Sequence, residues 1–233
     1  MSNFALPPFT CIAHRGASGY EPENTLRSFS KALELGATWV ECDLRVVDEE
    51  LIVFHDRTLN RRAGVSGVVE KQSLESLRSL DVGKGEKIPL LSEVLSIIKG
   101  QARIQLELKG RGTGERTAKY LNTLVSKGWS PNTFLVSSFD QEELSTFITN
   151  APSIPRALLL YGYPINAIEQ AKAIAAFSVH LHLETVTPKR VGALQDAGFK
   201  VFVYTVNEPS DIAAMRTIGV DGIFSDFPDR GLS

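Results

Sequence analysis

Two histidines, three carboxylates and two cations recur at the ends of apolar runs in this 233-residue chain. TCIAH leads into His14-Arg15-Gly16, and TWVECDL carries Glu41 and Asp43. ELIVFH ends in His55-Asp56, and ARIQLEL carries Glu107 with Lys109 just beyond it. Residues two apart on an extended strand share a face, with Cα atoms roughly 6–7 Å apart. Glu41 and Asp43 have that spacing, and so do Glu107 and Lys109. Carboxylates in apolar runs are costly unless paired or metal-bound. Three of them meeting at one place form an all-oxygen donor set, which suits a hard cation such as Mg²⁺ or Ca²⁺ better than zinc. Histidine titrates near neutral pH and moves protons, while an arginine fork and a lysine point charge suit an anion. Either pair alone reads equally well as a solvated strand face. Two pairs together with two run-end histidines read as a site.

Something must bring these runs together. Nine strand-like stretches occur: TCIAH, TWVECDL, ELIVFH, ARIQLEL, TFLVSS, RALLLY, SVHLHL, KVFVYTV and DGIFS. Between most of them, apolar residues recur at three- and four-residue spacing. ENTLRSFSKALELG, for example, aligns Leu26, Phe29, Ala32 and Leu33 and ends at Gly36, a helix-stop position. Alternating strands and helices predict a mainly parallel sheet. Only VVDEE separates the second run from the third, which is too short for a parallel crossover and enough for an antiparallel return. Setting that strand aside leaves eight. The expected fold is α/β: a single (β/α)8 TIM barrel over 1–233 with a hairpin-containing insertion at about 51–87. In such barrels the C-terminal strand ends carry the active site. His14, Glu41, Asp43, Glu107 and the Thr205-Val206-Asn207 element all fall there.

Composition narrows the classes. A formal net charge of −2 with scattered Lys and Arg argues against nucleic acid or an anionic membrane as partner. No window reaches the ~18 apolar residues of a membrane span, and MSNFALPPFT lacks the form of a secretory signal. The expectation is a soluble cytoplasmic protein whose Cys11 and Cys42 are buried, reduced thiols. A homodimer stays open as its assembly.

The ordered set AHRGASGYEPENT, ECD, VFHDRTLNR, ELK, VSSFD, TVN and DGIFSDFPD resembles the glycerophosphodiester phosphodiesterase family over nearly the whole chain. The resemblance implies a barrel, a divalent cation, and hydrolysis of small glycerophosphodiesters such as glycerophosphocholine or glycerophosphoethanolamine to sn-glycerol 3-phosphate and an alcohol. By position it implies His14 and His55 as the acid/base pair, Arg15 and Lys109 on the phosphate, and Glu41, Asp43 and Glu107 on the metal. Asn24 would shape the loop below His14. Our reading makes His14 the base and His55 the acid, with either water or the glycerol 2-hydroxyl as nucleophile. Two departures stand out. Tyr204 replaces the tryptophan usual before TVN, which alters an aromatic wall on the substrate side. Acidic residues replace the usual glycine of the hairpin turn.

Other signals carry less weight. His180-x-His182 has metal spacing, but without a further ligand nearby a structural or substrate-wall role is favoured, and Glu184 is left without a role. Asp56 either orients His55 or caps the next turn. Glu21 and Glu23 read as loop and helix-start residues, and KGRGTGER as a flexible mouth loop rather than a P-loop. Phe139, Tyr161, Tyr163 and Phe227 serve equally as pocket wall or core. Two alternative functions follow: lysophospholipase D-like action, which needs an apolar rim around the mouth, and a silent barrel binding a phosphorylated metabolite. The intact set of histidines and carboxylates disfavours the latter.

Overall fold

The computed structural model describes residues 9–232. Strand β1 (Thr10–Ala13) leads through the HRG loop to helix α1 (Leu26–Glu34). Strand β2 (Trp39–Val47) doubles back at once as β3 (Glu50–Val53). Short helices α2 (Asn60–Ala63) and α3 (Leu74–Ser79) precede α4 (Leu91–Ile98). Strand and helix then alternate: β4 (Arg103–Leu108), α5 (Thr113–Ser126), β5 (Phe134–Ser138), α6 (Gln141–Asn150), β6 (Arg156–Leu160), α7 (Ala167–Ala173), β7 (Ser178–His182), α8 (Pro188–Asp196), β8 (Lys200–Tyr204), α9 (Pro209–Ile218), β9 (Gly222–Ser225) and α10 (Pro228–Leu232).

Eight parallel strands run β1-β2-β4-β5-β6-β7-β8-β9, and pairing of β9 with β1 closes the ring. Strand β3 stays outside it, antiparallel to β2 with Leu44 opposite Val53 and Val47 opposite Glu50. The hairpin turn places Asp48 and Glu49 at φ 49° and 62°. Asp is among the few residues that tolerate this left-handed region, and the Asp48 carboxylate accepts the Leu74 N–H at 2.7 Å. Acidic residues thus do glycine's work here and tie the turn to α3.

Side-chain alternation sorts each strand between two layers. Val40, Cys42 and Leu44 of β2 pack outward among Phe29, Leu106 and Val136 beneath the helices. Trp39 faces inward, in a cluster with Ile12, Leu135, Ala157, Phe202 and Phe224 that fills the barrel's lower half. Burying each such side chain stabilises the fold by about 1.5–3 kcal/mol. Above this plug the inward positions turn polar: Glu41 lies level with Gln105, and Asp43 with Glu107. Cys11 and Cys42 are buried free thiols; burial pushes Cys11 up to about 12 and Cys42 well above its ordinary value, so both are inert.

Candidate active site

The HRG corner is fixed locally before it meets anything distant. Arg15 has φ 55° and Gly16 φ 77°. A Cβ on Gly16 would lie 2.6 Å from the Ser28 carbonyl carbon, so only glycine lets the loop rest on α1. Thr25 and Ser28 form a reciprocal capping box at the start of α1. The Ser28 hydroxyl also lies 2.9 Å from the Arg15 carbonyl oxygen, to which it donates. Helix and corner therefore move as one piece, and His14 and Arg15 project over the barrel mouth.

There the expected carboxylates converge. Glu41, Asp43 and Glu107 each bring an oxygen within 4.8 Å of the others' oxygens. Glu41 and Asp43 are 2% and 1% exposed. Glu41 Oε2 accepts the Arg15 backbone N–H at 2.8 Å, and Asp43 Oδ2 accepts from Asn24 Nδ2 at 2.8 Å. Asn24 thus secures a carboxylate directly as well as shaping the loop. Lys109 Nζ donates to Glu107 at 2.5 Å and lies 3.4 Å from Asp43 Oδ1; Arg15 Nε lies 3.2 Å from Asp43 Oδ2. Burial and the neighbouring Asp43 charge raise Glu41 well above the ordinary carboxylate range and raise Glu107 too. Burial also pushes Asp43 upward, but Lys109 and Arg15 outweigh it and hold Asp43 at about 2.

Glu41 Oε1 and Asp43 Oδ1 are buried without a hydrogen-bond donor. Glu41 Oε1 has no partner, and Glu41 is raised by burial and by Asp43, so the cluster is short of positive charge even with Lys109 3.4 Å from Asp43 Oδ1. A hard divalent cation fits that donor set.

Both histidines are anchored through Nδ1. His14 Nδ1 lies 2.7 Å from Asp226 Oδ1, and that carboxylate is in turn held by Ser18 Oγ at 2.8 Å and Asn207 Nδ2 at 2.7 Å. His55 Nδ1 lies 2.7 Å from Asp56 Oδ1. A carboxylate on Nδ1 fixes the tautomer with Nε2 free for the cavity. His14 Nε2 points toward Glu41, 4.0 Å from Oε2. Burial lowers His55; Asp43 opposes that effect, while Arg15 and Lys109 reinforce it.

A cavity of about 360 Å³ opens above these groups. His14, Arg15, Glu41, His55, Glu107 and Lys109 line one side, and Phe139, Leu159, Tyr161, His182 and Tyr204 the other. Tyr204 spends its hydroxyl on the Leu160 carbonyl at 2.8 Å and presents its ring, 5.5 Å from His182 and 6.2 Å from Phe139.

The open alternatives resolve, and two expectations change. The H-x-H pair splits: His182 lines the mouth, whereas His180 is buried below it between Phe202 and Phe224. Tyr163 packs under Arg190, and Phe227 against Tyr20 and Arg230; neither lines the cavity. Glu21 and Glu23 do not cap α1, a task that falls to Thr25. Glu21 pairs with Arg27 and Lys84, and Glu23 with Arg15 and Arg61. The KGRGTGER loop is clamped, its Gly112 and Gly114 N–H groups donating to the Glu143 carboxylate at 2.8 and 2.7 Å. Asp226 stands in the quoted DGIFSDFPD, with no role evident from its spacing alone. A strand-end carboxylate following an apolar run was the available signal.

A parallel barrel whose mouth sets a carboxylate cluster, two anchored histidines and two cations around one cavity is the architecture of an enzyme that handles an anionic substrate. The model of the glycerophosphoryl diester phosphodiesterase family matches residues 14–230, and the chain belongs to that family. It is 33% identical to a glycerophosphodiester phosphodiesterase of Bacillus altitudinis, over 95% of this chain and 96% of that one. It is 32% identical to one of Caldanaerobacter subterraneus subsp. tengcongensis, over 94% of both. Among solved structures, an Oleispira antarctica phosphodiesterase in complex with the product sn-glycerol-3-phosphate superposes with a TM-score of 0.90 at 31% identity, covering 97% of this chain and 96% of that one. No helix among the described residues is long and apolar enough to cross a membrane.

Proposed function

We propose that this enzyme hydrolyses small glycerophosphodiesters, glycerophosphocholine and glycerophosphoethanolamine among them, to sn-glycerol 3-phosphate and the free alcohol. One observation carries the reading: Glu41 and Glu107 line one cavity with His14, His55, Arg15 and Lys109, and Asp43 brings an oxygen within 4.8 Å of both carboxylates. In this reading the three carboxylates hold Mg²⁺ or Ca²⁺. Bound there, the cation supplies Lewis-acid polarisation of the phosphoryl oxygens and offsets their charge.

The chain's own residues do the rest. Arg15 and Lys109 grip the phosphate from the strand side, and the ring of Tyr204 faces the organic portion. With Asp226 on Nδ1, His14 presents a free Nε2 that accepts the nucleophile's proton. His55 donates to the leaving alkoxide oxygen. Arg15 and Lys109 work against a proton on His55 in the free protein. The negative charge of the substrate, once between those two cations, offsets them and restores the proton where it is needed. Each such proton transfer typically contributes about 10²–10⁴-fold.

The test uses chelator-stripped protein given Mg²⁺, Ca²⁺ or Mn²⁺ in turn, with glycerophosphocholine, glycerophosphoethanolamine and glycerophosphoglycerol as substrates. Metal-dependent release of glycerol 3-phosphate supports the reading, and its absence with every metal and substrate overturns it. A lysophospholipase D-like reading draws support from the rim. Phe139 is 45% exposed and Tyr161 70%, both on the cavity wall, and Ile165 stands fully exposed on the same loop as Tyr161. Lysophosphatidylcholine in the same panel separates the two, because only the rim-assisted reading yields lysophosphatidate.

A further inference from the structure

The mouth is built partly from outside the barrel. Residues between β3 and α4 carry Arg61, whose guanidinium reaches two carboxylates at once. Its Nη1 and Nη2 donate to Glu23 Oε2 and Oε1, both at 2.7 Å. Its Nε donates to Asp56 Oδ2 at 2.6 Å and its Nη2 to Asp56 Oδ1 at 3.0 Å. Each carboxylate in turn holds a residue facing the cavity. Glu23 Oε1 accepts from Arg15 Nη1 at 3.1 Å, and Asp56 Oδ1 sits 2.7 Å from His55 Nδ1. The chain of contacts thus runs Arg15–Glu23–Arg61–Asp56–His55, with Arg61 at its centre. Among the described residues, the ion pairs of Glu23 besides Arg61 reach Arg15 alone and those of Asp56 reach His55 alone, with Arg62 adding a longer-range pull on Glu23.

We propose that Arg61 is a positioning residue that sets Arg15 and His55 at a common spacing across the phosphate and fixes the His55 tautomer through Asp56. The geometry is specific to arginine. A bidentate fork on one carboxylate with a third donor turned to another needs the planar, five-donor guanidinium, and a lysine ammonium is a point charge that serves one partner well. Both carboxylates respond. Burial alone would raise them, yet Arg61 hydrogen bonds leave Glu23 below its ordinary value and Asp56 at about 2. Asp56 therefore stays an acceptor for the His55 Nδ1–H at any working pH, leaving Nε2 unprotonated and turned to the substrate in the neutral ring.

A second latch gives the control. Lys84 donates to Glu21 at 2.8 Å and to the Tyr20 carbonyl at 3.0 Å, also fastening the segment between β3 and α4 to the loop before α1. It touches nothing in the cavity. If Arg61 served only to dock that segment, losing Lys84 would have a similar effect.

The inference rests on the proposed diesterase reading for its kinetic arm, so one readout is independent of activity. Arg61→Ala, Arg61→Lys and Lys84→Ala are compared with wild type. The ¹⁵N chemical shifts of His55 are read in metal-free protein, assigned by the disappearance of its signals in His55→Gln. Wild type and Lys84→Ala are expected to show one tautomer with Nδ1 protonated, and Arg61→Ala a mixture of both. With glycerophosphocholine, Arg61→Ala is expected to lose about 10–100-fold in kcat, the usual effect of removing a group that orients a working residue. Arg61→Lys should recover part of the kcat loss, and Lys84→Ala should turn over at the wild-type rate. An unchanged His55 tautomer in Arg61→Ala overturns the proposal whether or not the protein cleaves diesters. Equal kcat losses in Arg61→Ala and Lys84→Ala overturn it too, in favour of simple docking.

Discussion

His180 gives a prediction whose size follows from its surroundings. Its ring is 0% exposed on β7, with Nε2 2.9 Å from Ser178 Oγ and Nδ1 without a partner. Phe202 and Phe224 lie 5.5 and 5.0 Å away, so nothing nearby solvates a charge. Burial accordingly pushes its pKa from 6.5 down to about 3. The sign follows from linkage. The folded state refuses a proton that the unfolded chain accepts below 6.5. This contribution to stability is therefore complete above that pH and shrinks as pH falls toward about 3. One pKa unit is worth about 1.4 kcal/mol, so at pH ~5, some 1.5 units below the unfolded value, the loss is about 2 kcal/mol. That is a sizeable part of the ~5–15 kcal/mol of a typical domain. The perturbation is His180→Gln, which removes the titration and keeps a donor for Ser178. Urea unfolding of both proteins near pH 7 and pH 5 gives four free energies. Wild type should lose about 2 kcal/mol more than the variant between the two pH values, whatever the variant's stability at pH 7. Parallel losses would refute the reasoning and mean that His180 takes up its proton inside the folded barrel.

Three further outcomes follow from the site. Asp226→Asn should cut kcat by about 10² or more with a smaller change in KM, because Asn leaves His14 without a negative partner and free to take the wrong tautomer; equal kcat rejects the anchor. Glu41→Gln should abolish turnover while thermal melts in chelator stay at or above wild type, since it removes one of the mutually repelling buried carboxyls. Adding Mg²⁺ or Ca²⁺ at a hundred times Kd should stabilise wild type by about 2.7 kcal/mol and the variant far less, and equal shifts would remove Glu41 from the ligand set. Gly16→Ala should cost at least about 1–2 kcal/mol in urea unfolding, since its Cβ meets Ser28 backbone at φ 77°; wild-type stability would show that the corner relaxes freely.

The barrel and most of its mouth were legible because their signals are local. Alternating runs gave the strands, and the VVDEE gap gave β3. Period-two spacing put Glu41 with Asp43, and strand ends located His14 and Glu107. Residues acting across long separations were not legible. Asp226 lies 212 positions from His14 and becomes its partner only when β9 closes against β1. Arg61 stands in the quoted VFHDRTLNR, and nothing local pairs it with Glu23, 38 positions away. The H-x-H pair reads in sequence as structural or substrate wall rather than metal, and each histidine takes one of those roles. Period two gives His180 and His182 the same inward face, but their different depths decide that one is core and the other lines the mouth. The apolar rim was half legible: sequence leaves Phe139 and Tyr161 as wall or core, and only their exposure after β5 and β6 decides for the wall.

The seam between β1 and β9 gives the enzyme a birth order. During synthesis the HRG corner, the carboxylate strands and His55 all leave the ribosome long before β9. Until then the ring has a gap beside β1, and His14 has no carboxylate to hold its ring. A chain that stops short of β9 carries almost every working residue but lacks Asp226, the carboxylate on His14 Nδ1. Joining the ends of this 233-residue chain and reopening it within an exposed loop, such as the one at Ile165, would reverse that order. Such a permutant would make the His14–Asp226 pair early and local, and would show whether its late formation sets the pace at which activity emerges.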